Sequence, residues 1–408
     1  MDENSKDLFD SKSIQEILTL RYDTTLTSKL PKLTWKDFEP KNNKISLDVI
    51  EKLITEEITT KINPENSKLS LALSGGIDST LVLALLRKKF PKIPIETISI
   101  KFADSLDETE TASKVAEHFD VNHSVIFLEN FLLELPKAIS IINRPFWDLH
   151  WYHIVKKANS ISKYLVSGDG GDELFGGYSF RYSKFLSLVD QNSTPLEKTK
   201  AYLDCHEHDR VPDQENIFKE KMNFSWNSIY DVLLPYFDNS LSLLDQVFLA
   251  DYNGKLLYNF SPINSKLHDY FKMNSITPIL SNEMINYSTK IPHNEKYDQQ
   301  NKIGKLPLRM LLKNLNAEKL VSTTKIGFSI NTLNLWKTSG QKICKYYLTE
   351  ARIIQDKLIN KNWIEKYINT TNLDVKYVNK FLGLLAFEIW YRLFVTKEMK
   401  PDEQLNYE

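Results

Sequence analysis

Cysteine, long apolar runs and an excess of either charge are all missing from this chain, and each shortage closes off a class of protein. Two cysteines, Cys205 and Cys344, cannot build a disulfide framework, which suits a reducing cytosol. The most apolar late segment, Val378 to Val395, is interrupted by Lys380, Glu388 and Arg392, so it reads as a core helix and not a membrane span. The 52 Lys and Arg against 53 Asp and Glu leave a net charge of −1 and a pI near 6.7. These charges are mixed along the chain, and nothing electrostatic points to a nucleic-acid partner. The opening "MDENSKDLFDSKS" is too acidic and polar for a signal peptide. What remains, at 408 residues with 42% hydrophobic and 26% charged side chains, is an ordinary soluble chain of two domains, or of one with a large extension. A cytoplasmic protein is expected.

Glycine is the scarcest backbone resource, with only 12 in 408 residues. Seven of them stand in two short stretches, "LALSGGIDST" (Leu71 to Thr80) and "LVSGDGGDELFGGY" (Leu165 to Tyr178). Such a concentration marks backbone that must come close to something other than itself.

The pattern around these stretches alternates. Residues 1–45 read as weakly structured, with one short helical stretch and a Pro-containing linker; Leu47, Ile50, Leu53, Ile54 and Ile58 then repeat with helical period. Strands are expected over Lys68–Leu73, Pro94–Phe102, His123–Leu128 and Lys163–Ser167, with helices over Thr80–Phe90 and Asp107–Phe119 between them. Strands alternating with ten-residue helices predict an α/β fold with a doubly wound parallel sheet. Both glycine stretches follow carboxyl ends of strands, where open α/β sheets bind ligands. From about Ser179 strand signals fade, giving expected regions of 1–45 (linker), 46–180 (α/β core) and 181–408 (mostly helical).

"SGGIDS" opens a helix, whose N-terminal N–H groups and macrodipole favour a phosphate. Gly75 and Gly76 permit close approach, and Ser74 and Ser79 offer hydroxyls. Asp78 would repel that phosphate unless a cation intervened, and Mg²⁺ takes one or two carboxylates together with phosphate oxygens. No G-x-x-x-x-G-K-[ST] occurs, so this is not a Walker A loop. The alternative is a tight strand–helix turn with an ordinary cap.

The loop resembles that of the pyrophosphate-loop (adenine nucleotide alpha hydrolase-like) ATP enzymes, in which S-G-G-x-D-S binds departing pyrophosphate. Thiolating branches use paired cysteines, which this chain lacks. "SGDGGDELFGGY" resembles the second signature of the synthetase domain of the asparagine synthetase family, which includes β-lactam and carbapenam synthetases and lasso-peptide cyclases. "DETETASKVAEHFDVNH", "RPFWDLHWYH", "KLPLR", "KIGF" and "LGLLAFEIWYRLF" extend the likeness over nearly the whole chain from about Trp35. The resemblance implies an ATP-dependent, AMP-forming amide ligase. By it, Leu73, Ser74, Gly75, Gly76, Asp78, Ser79, Ser99, Gly168 and Gly170 bind ATP, and Asp78 and Asp172 hold Mg²⁺. Asp148, Tyr178 and Asn274 fall on the substrate side, and Lys325 and Lys305 are catalytic, Lys325 by contacting the phosphates. Asp169 and Glu173 are left open between a part in the site and a cap on the next helix.

Two departures bear on the second half-reaction. Where relatives carry E-x-R-x-P-F-L-D, this chain reads "NSITPILS": Asn274 replaces the glutamate, Ile276 the arginine and Ser281 the aspartate. An amide cannot accept a proton at neutral pH. Thr323 likewise replaces an arginine before the late lysine, and Asn331 a proline. Only 73 residues precede the first loop and Asp2 follows Met1, so no glutaminase is expected within the chain. Nitrogen is expected from free ammonia, an amine, or a separate glutaminase subunit, with a carboxylate as the other substrate, no nucleic acid, no membrane, and a homodimer as a further expectation. These losses favour specialised small-molecule or peptide amidation. Asparagine formation from aspartate and ammonia, and a non-catalytic nucleotide-binding regulatory subunit, are the alternatives. "CHEHD" (Cys205 to Asp209) gathers metal-ligand residue types without a second cluster, and reads as a polar loop.

Overall fold

The computed structural model describes residues 9–40, 45–63, 68–103, 105, 107, 109–321 and 330–405. Its centre is a sheet of five parallel strands: β1 (Leu69–Ala72), β2 (Ile95–Phe102), β3 (Asn122–Leu128), β4 (Tyr164–Val166) and β5 (Asn274–Ile276), in the order β3-β2-β1-β4-β5. All four residues of β1 are buried, as a central strand covered on both faces requires. Alternation assigns the faces. Leu69, Leu71 and Leu73 enter one hydrophobic cluster, whereas Ala72, Ile98, Ile100 and Phe102 enter a second. A core on each face makes the sheet doubly wound.

The helices that frame the site are α1 (Ser11–Leu20), α2 (Leu47–Lys61), α3 (Ile77–Lys89), α4 (Thr109–His118), α5 (His150–Asn159), α6 (Gly171–Phe175), α7 (Ser179–Leu188), α8 (Ser261–Tyr270), α9 (Leu306–Asn314) and α10 (Val375–Phe394). The four expected strands and the helices after β1 and β2 are present, within one to three residues of their expected ends. α3 stops at Lys89, two residues before Pro91, as a ring without an N–H requires.

Two regions differ from expectation. α1 answers to the short helical stretch expected within residues 1–45, but the segment read as weakly structured around it is packed into the molecule. Ile14, Ile17 and Leu18 enter one core, Leu20 and Tyr22 the other. Its polar residues are buried too, and they have partners: Glu16 accepts from the Thr24 N–H at 2.7 Å, and Ser13 donates to Asp23 at 2.7 Å. Ile14, Ile17 and Leu18 form an apolar stripe at helical spacing, but the burial of the opposite, polar face comes only from the partners it meets in the fold. β5 falls in the region read as helical. Only three residues long, with Asn274 and Ser275 exposed, it has no periodicity to detect, and pairing with β4 alone makes it a strand.

α10 shows why the late apolar segment is interrupted. Its Lys380 ammonium donates to the Leu18 and Asp209 carbonyls, and Glu388 accepts the Arg352 and Ile353 N–H groups. Among the described residues no helix is long and apolar enough to cross a membrane.

From β1 the chain builds outward through β2 to β3, then crosses to the opposite side for β4 and β5. The order reverses between β1 and β4. In open α/β sheets that switch point opens a crevice at the strands' carboxyl ends. The two glycine stretches follow β1 and β4, one on each side of it.

Candidate nucleotide site at the switch point

The first loop leads straight into α3. Gly76 is the N-cap, and no side chain bonds to the first turn, so its N–H groups point outward. The Ser74 and Ser79 hydroxyls lie 3.2 Å apart across the turn, and the Gly76 N–H donates to Ser74 Oγ. Asp78 sits in that first turn.

The second loop is folded tightly around the first, which accounts for its glycines. A Cβ on Gly171 would stand 2.3 Å from the Asp78 carboxyl carbon, and one on Gly177 would stand 1.8 Å from Asp172 Oδ1 and 2.4 Å from Lys305 Cε. Any side chain at either position would push the acids away from the lysine. What the glycines approach is therefore the neighbouring loop's chemistry as well as the open crevice.

Lys305 closes the arrangement. Its ammonium lies 2.5 Å from Asp78 Oδ2 and 2.9 Å from Asp172 Oδ1, so carboxylates more than 90 residues apart meet at one nitrogen. Burial opposes charge on this lysine, but Asp172 and Asp78 outweigh it and hold the ammonium above its usual range. Lys305 itself takes a left-handed backbone (φ 59) to enter α9.

These groups line a cleft of about 610 Å³. Among the described lining residues, the carboxyl groups of Asp78, Asp148, Asp169, Asp172 and Glu173 face a single lysine, Lys305. Asp169 accepts from Ser167 Oγ at 2.9 Å and does not cap α6, whose N-cap is Gly170 with no side-chain bond. Burial raises its pKa, the Ser167 bond opposes this, and Asp78 adds to the rise. Glu173 accepts from Tyr178 Oη at 2.6 Å, and burial, followed by Asp172, pushes it up to about 7. Both acids line the cleft. Their position inside the glycine-rich signature was the available signal.

The cleft gathers Ser74, Gly76, Asp78, Ser79, Asp148, Gly168, Gly170, Asp172, Tyr178 and Lys305 from the expected site. Four other expected residues do not line it. Gly75 turns against Thr111 and Ala112 of α4; Ser99 is buried beneath the loop, bonded to the Leu73 carbonyl; and Leu73 is fully buried. Asn274, at the start of β5, lines a neighbouring cavity of about 910 Å³ that shares Asp169, Leu256, Phe260 and Asn264 with the cleft. Lys325 and the rest of "KIGF" lie outside the described residues. Phe180 and Phe260, on the cleft's other wall, carried no sequence signal because they are 80 residues apart and meet only in the fold.

Behind Asp148 lies a second charge cluster. Arg21 pairs with Asp148 and, at 3.1 Å, with Asp209; Lys255 reaches Asp209 at 2.6 Å, and Arg181 reaches Asp251 at 3.5 Å. The "CHEHD" segment belongs here. The His206 ring accepts from Arg181 at 2.8 Å while its other nitrogen donates to the Tyr202 carbonyl, which makes it a neutral structural link. Burial and then Arg181 drive its pKa well down. Among the described residues no His, Cys, Asp and Glu group is arranged to hold a metal by itself.

A family model described as Asparagine synthase matches residues 64–392. The chain is 24% identical over 367 residues to asparagine synthetase (glutamine-hydrolyzing) 1 of Bacillus subtilis, covering 81% of this chain and 57% of that protein. It is 36% identical over 111 residues to putative asparagine synthetase (glutamine-hydrolyzing) 2 of Methanocaldococcus jannaschii, 26% of this chain and 22% of that one. The chain thus spans little more than half the length of the Bacillus relative. Among solved structures, the NH3-dependent NAD synthetase from Campylobacter jejuni matches 47% of this chain and 92% of its own at 15% identity, with a TM-score of 0.26.

Proposed function

The chain belongs to the asparagine synthase family, and on that premise we propose that it is an ATP-dependent, AMP-forming amide ligase acting on a carboxylate and an amine or ammonia. The observation that carries this reading is the convergence of Asp78 and Asp172 on the Lys305 ammonium, beside the uncapped N-terminus of α3 at the switch point.

The α3 N–H groups and the Ser74 and Ser79 hydroxyls would hold the departing pyrophosphate. Asp78 and Asp172 fit a divalent cation: two carboxylates already converge on one positive centre, and Mg²⁺ takes that donor set with phosphate oxygens completing its shell. Bound Mg²⁺ supplies positive charge against the triphosphate. The acid excess of the cleft makes such a charge necessary, since phosphates cannot enter among unpaired carboxylates without it.

In the first half-reaction a substrate carboxylate oxygen bonds to the α-phosphorus and the bond to the β-phosphate oxygen breaks. Lys305 stands where negative charge develops, and Lys325 is proposed for the same task. In the second, an amine nitrogen bonds to the acyl carbon, the bond to AMP breaks, and the amine's proton needs an acceptor. Asn274 cannot serve. Asp169, which lines both the cleft and the neighbouring cavity, is the carboxylate placed to receive it. Exchange of radiolabelled pyrophosphate into ATP, driven by candidate carboxylic acids, tests the proposal. ATP bound but uncleaved with every acid tried would overturn it.

A further inference from the structure

The two walls of the cleft differ in kind. One carries the glycine loops, the acids and Lys305. The other carries the apolar side chains of Leu149, Trp151, Phe180, Leu256, Phe260 and Ile263, with the neutral polar groups of His150, Asn259 and Asn264 set among them. Phe180 stands 62% exposed and Phe260 36% exposed, so two aromatic rings are held in solvent at the mouth of one cavity. Large apolar side chains left in water around a concave site mark a surface that a ligand covers.

Charge restricts that ligand further. Lys305 is bonded to both Asp78 and Asp172. Arg21 and Arg181 lie behind the wall, the first paired with Asp148 and Asp209, the second with Asp251 and stacked 3.8 Å over the Tyr178 ring, and neither lines the cleft. His150 lines it, but burial lowers its pKa and leaves the ring neutral near pH 7. A small amino dicarboxylate such as aspartate keeps one carboxylate after the other is adenylated. Among the described residues the cleft offers that second carboxylate five carboxyl neighbours and no uncommitted cation.

We propose that the acyl substrate is a bulky apolar monocarboxylate, aromatic or long aliphatic, whose hydrocarbon part lies against Phe180 and Phe260 while its carboxylate faces the nucleotide. This rests on the ligase reading and narrows it away from asparagine formation.

The test uses 3-phenylpropanoate and octanoate against L-aspartate and succinate, in pyrophosphate exchange and in calorimetric binding with a non-hydrolysable ATP analogue and Mg²⁺ present. Phenylpropanoate or octanoate is expected to be preferred by tenfold or more. Phe180→Ala and Phe260→Ala, both at exposed positions that folding does not need, are expected to raise KM and Kd for that acid about tenfold while KM for ATP stays unchanged. Preference for aspartate or succinate overturns the inference, as does insensitivity of the apolar acid to both substitutions. A raised KM for ATP also overturns it, because the rings would then be holding the nucleotide. If no acid drives exchange but the apolar acids still bind selectively through the two rings, the substrate class stands and the ligase reading falls. If no acid of either kind binds, both fall.

Discussion

Two clusters of buried charge lie on either side of Asp148, built from the same residue types, and they differ in balance. In the inner one Arg21, Arg181 and Lys255 pair with Asp148, Asp209 and Asp251, cation for carboxylate, and Arg181, Lys255, Asp209 and Asp251 enclose a void of only about 20 Å³. In the outer one Lys305 alone answers Asp78 and Asp172, with Asp169 and Glu173 close by, and the group opens onto about 610 Å³. Buried charge is costly unless paired. A balanced closed cluster settles that cost within the chain and holds the fold together. An acid excess that opens to solvent leaves part of it to an incoming cation, and that is what a binding site requires.

The contrast can be broken most sharply from the inner side. Asp209→Asn should destabilise the protein by about 3–5 kcal/mol, since Lys255 and Arg21 lose a buried carboxylate. Urea denaturation reads this, and pyrophosphate exchange per folded molecule should stay within a few-fold. Asp172→Asn should do the opposite: exchange falls roughly 10²–10³-fold while the urea midpoint holds or rises, because the change relieves acid excess. If both variants lose stability and activity in equal measure, the distinction between the clusters is void.

Gly177→Ala probes the outer cluster without altering any charge. Its Cβ would overlap Asp172 and Lys305, at 1.8 and 2.4 Å, and displacing them should lower exchange by about 10–10²-fold.

The smallest effect is one of pH. Burial, partly opposed by Asp209, brings Lys255 down to about 8 from its usual 10.5. Between those values the unfolded chain holds a proton that the folded one has released, so this group's contribution to stability rises as pH climbs from about 8 toward 10.5. Lys255→Met should flatten that part of the stability profile in urea titrations at pH 7.5, 9 and 10. An unchanged slope would show that Lys255 keeps its ordinary affinity for protons inside the cluster.

Legibility in the sequence followed the range of the interaction. The strand–loop–helix of "SGGIDS" and the glycine-rich turn after β4 could be read because spacing, glycine and flanking apolar runs are local properties. Asp169 and Glu173 were visible as residues but not as cleft groups, since nothing local distinguishes an acid that caps a helix from one that faces a cavity. β5 left no trace, being a three-residue strand defined by its neighbour, whereas α1 was legible as a short helical stretch but the burial of its polar side against partners was not.

From sequence alone came a parallel α/β scaffold, two loops suited to phosphate, and the acids Asp78 and Asp172, because residue type and short-range periodicity dictate backbone form and chemical potential. The tertiary structure alone decided that those acids share the Lys305 ammonium, that Arg21 from the N-terminal segment backs Asp148, and that Phe180 and Phe260 flank one opening. Each of these joins residues 80 or more positions apart, and at such separations only packing determines which side chains meet.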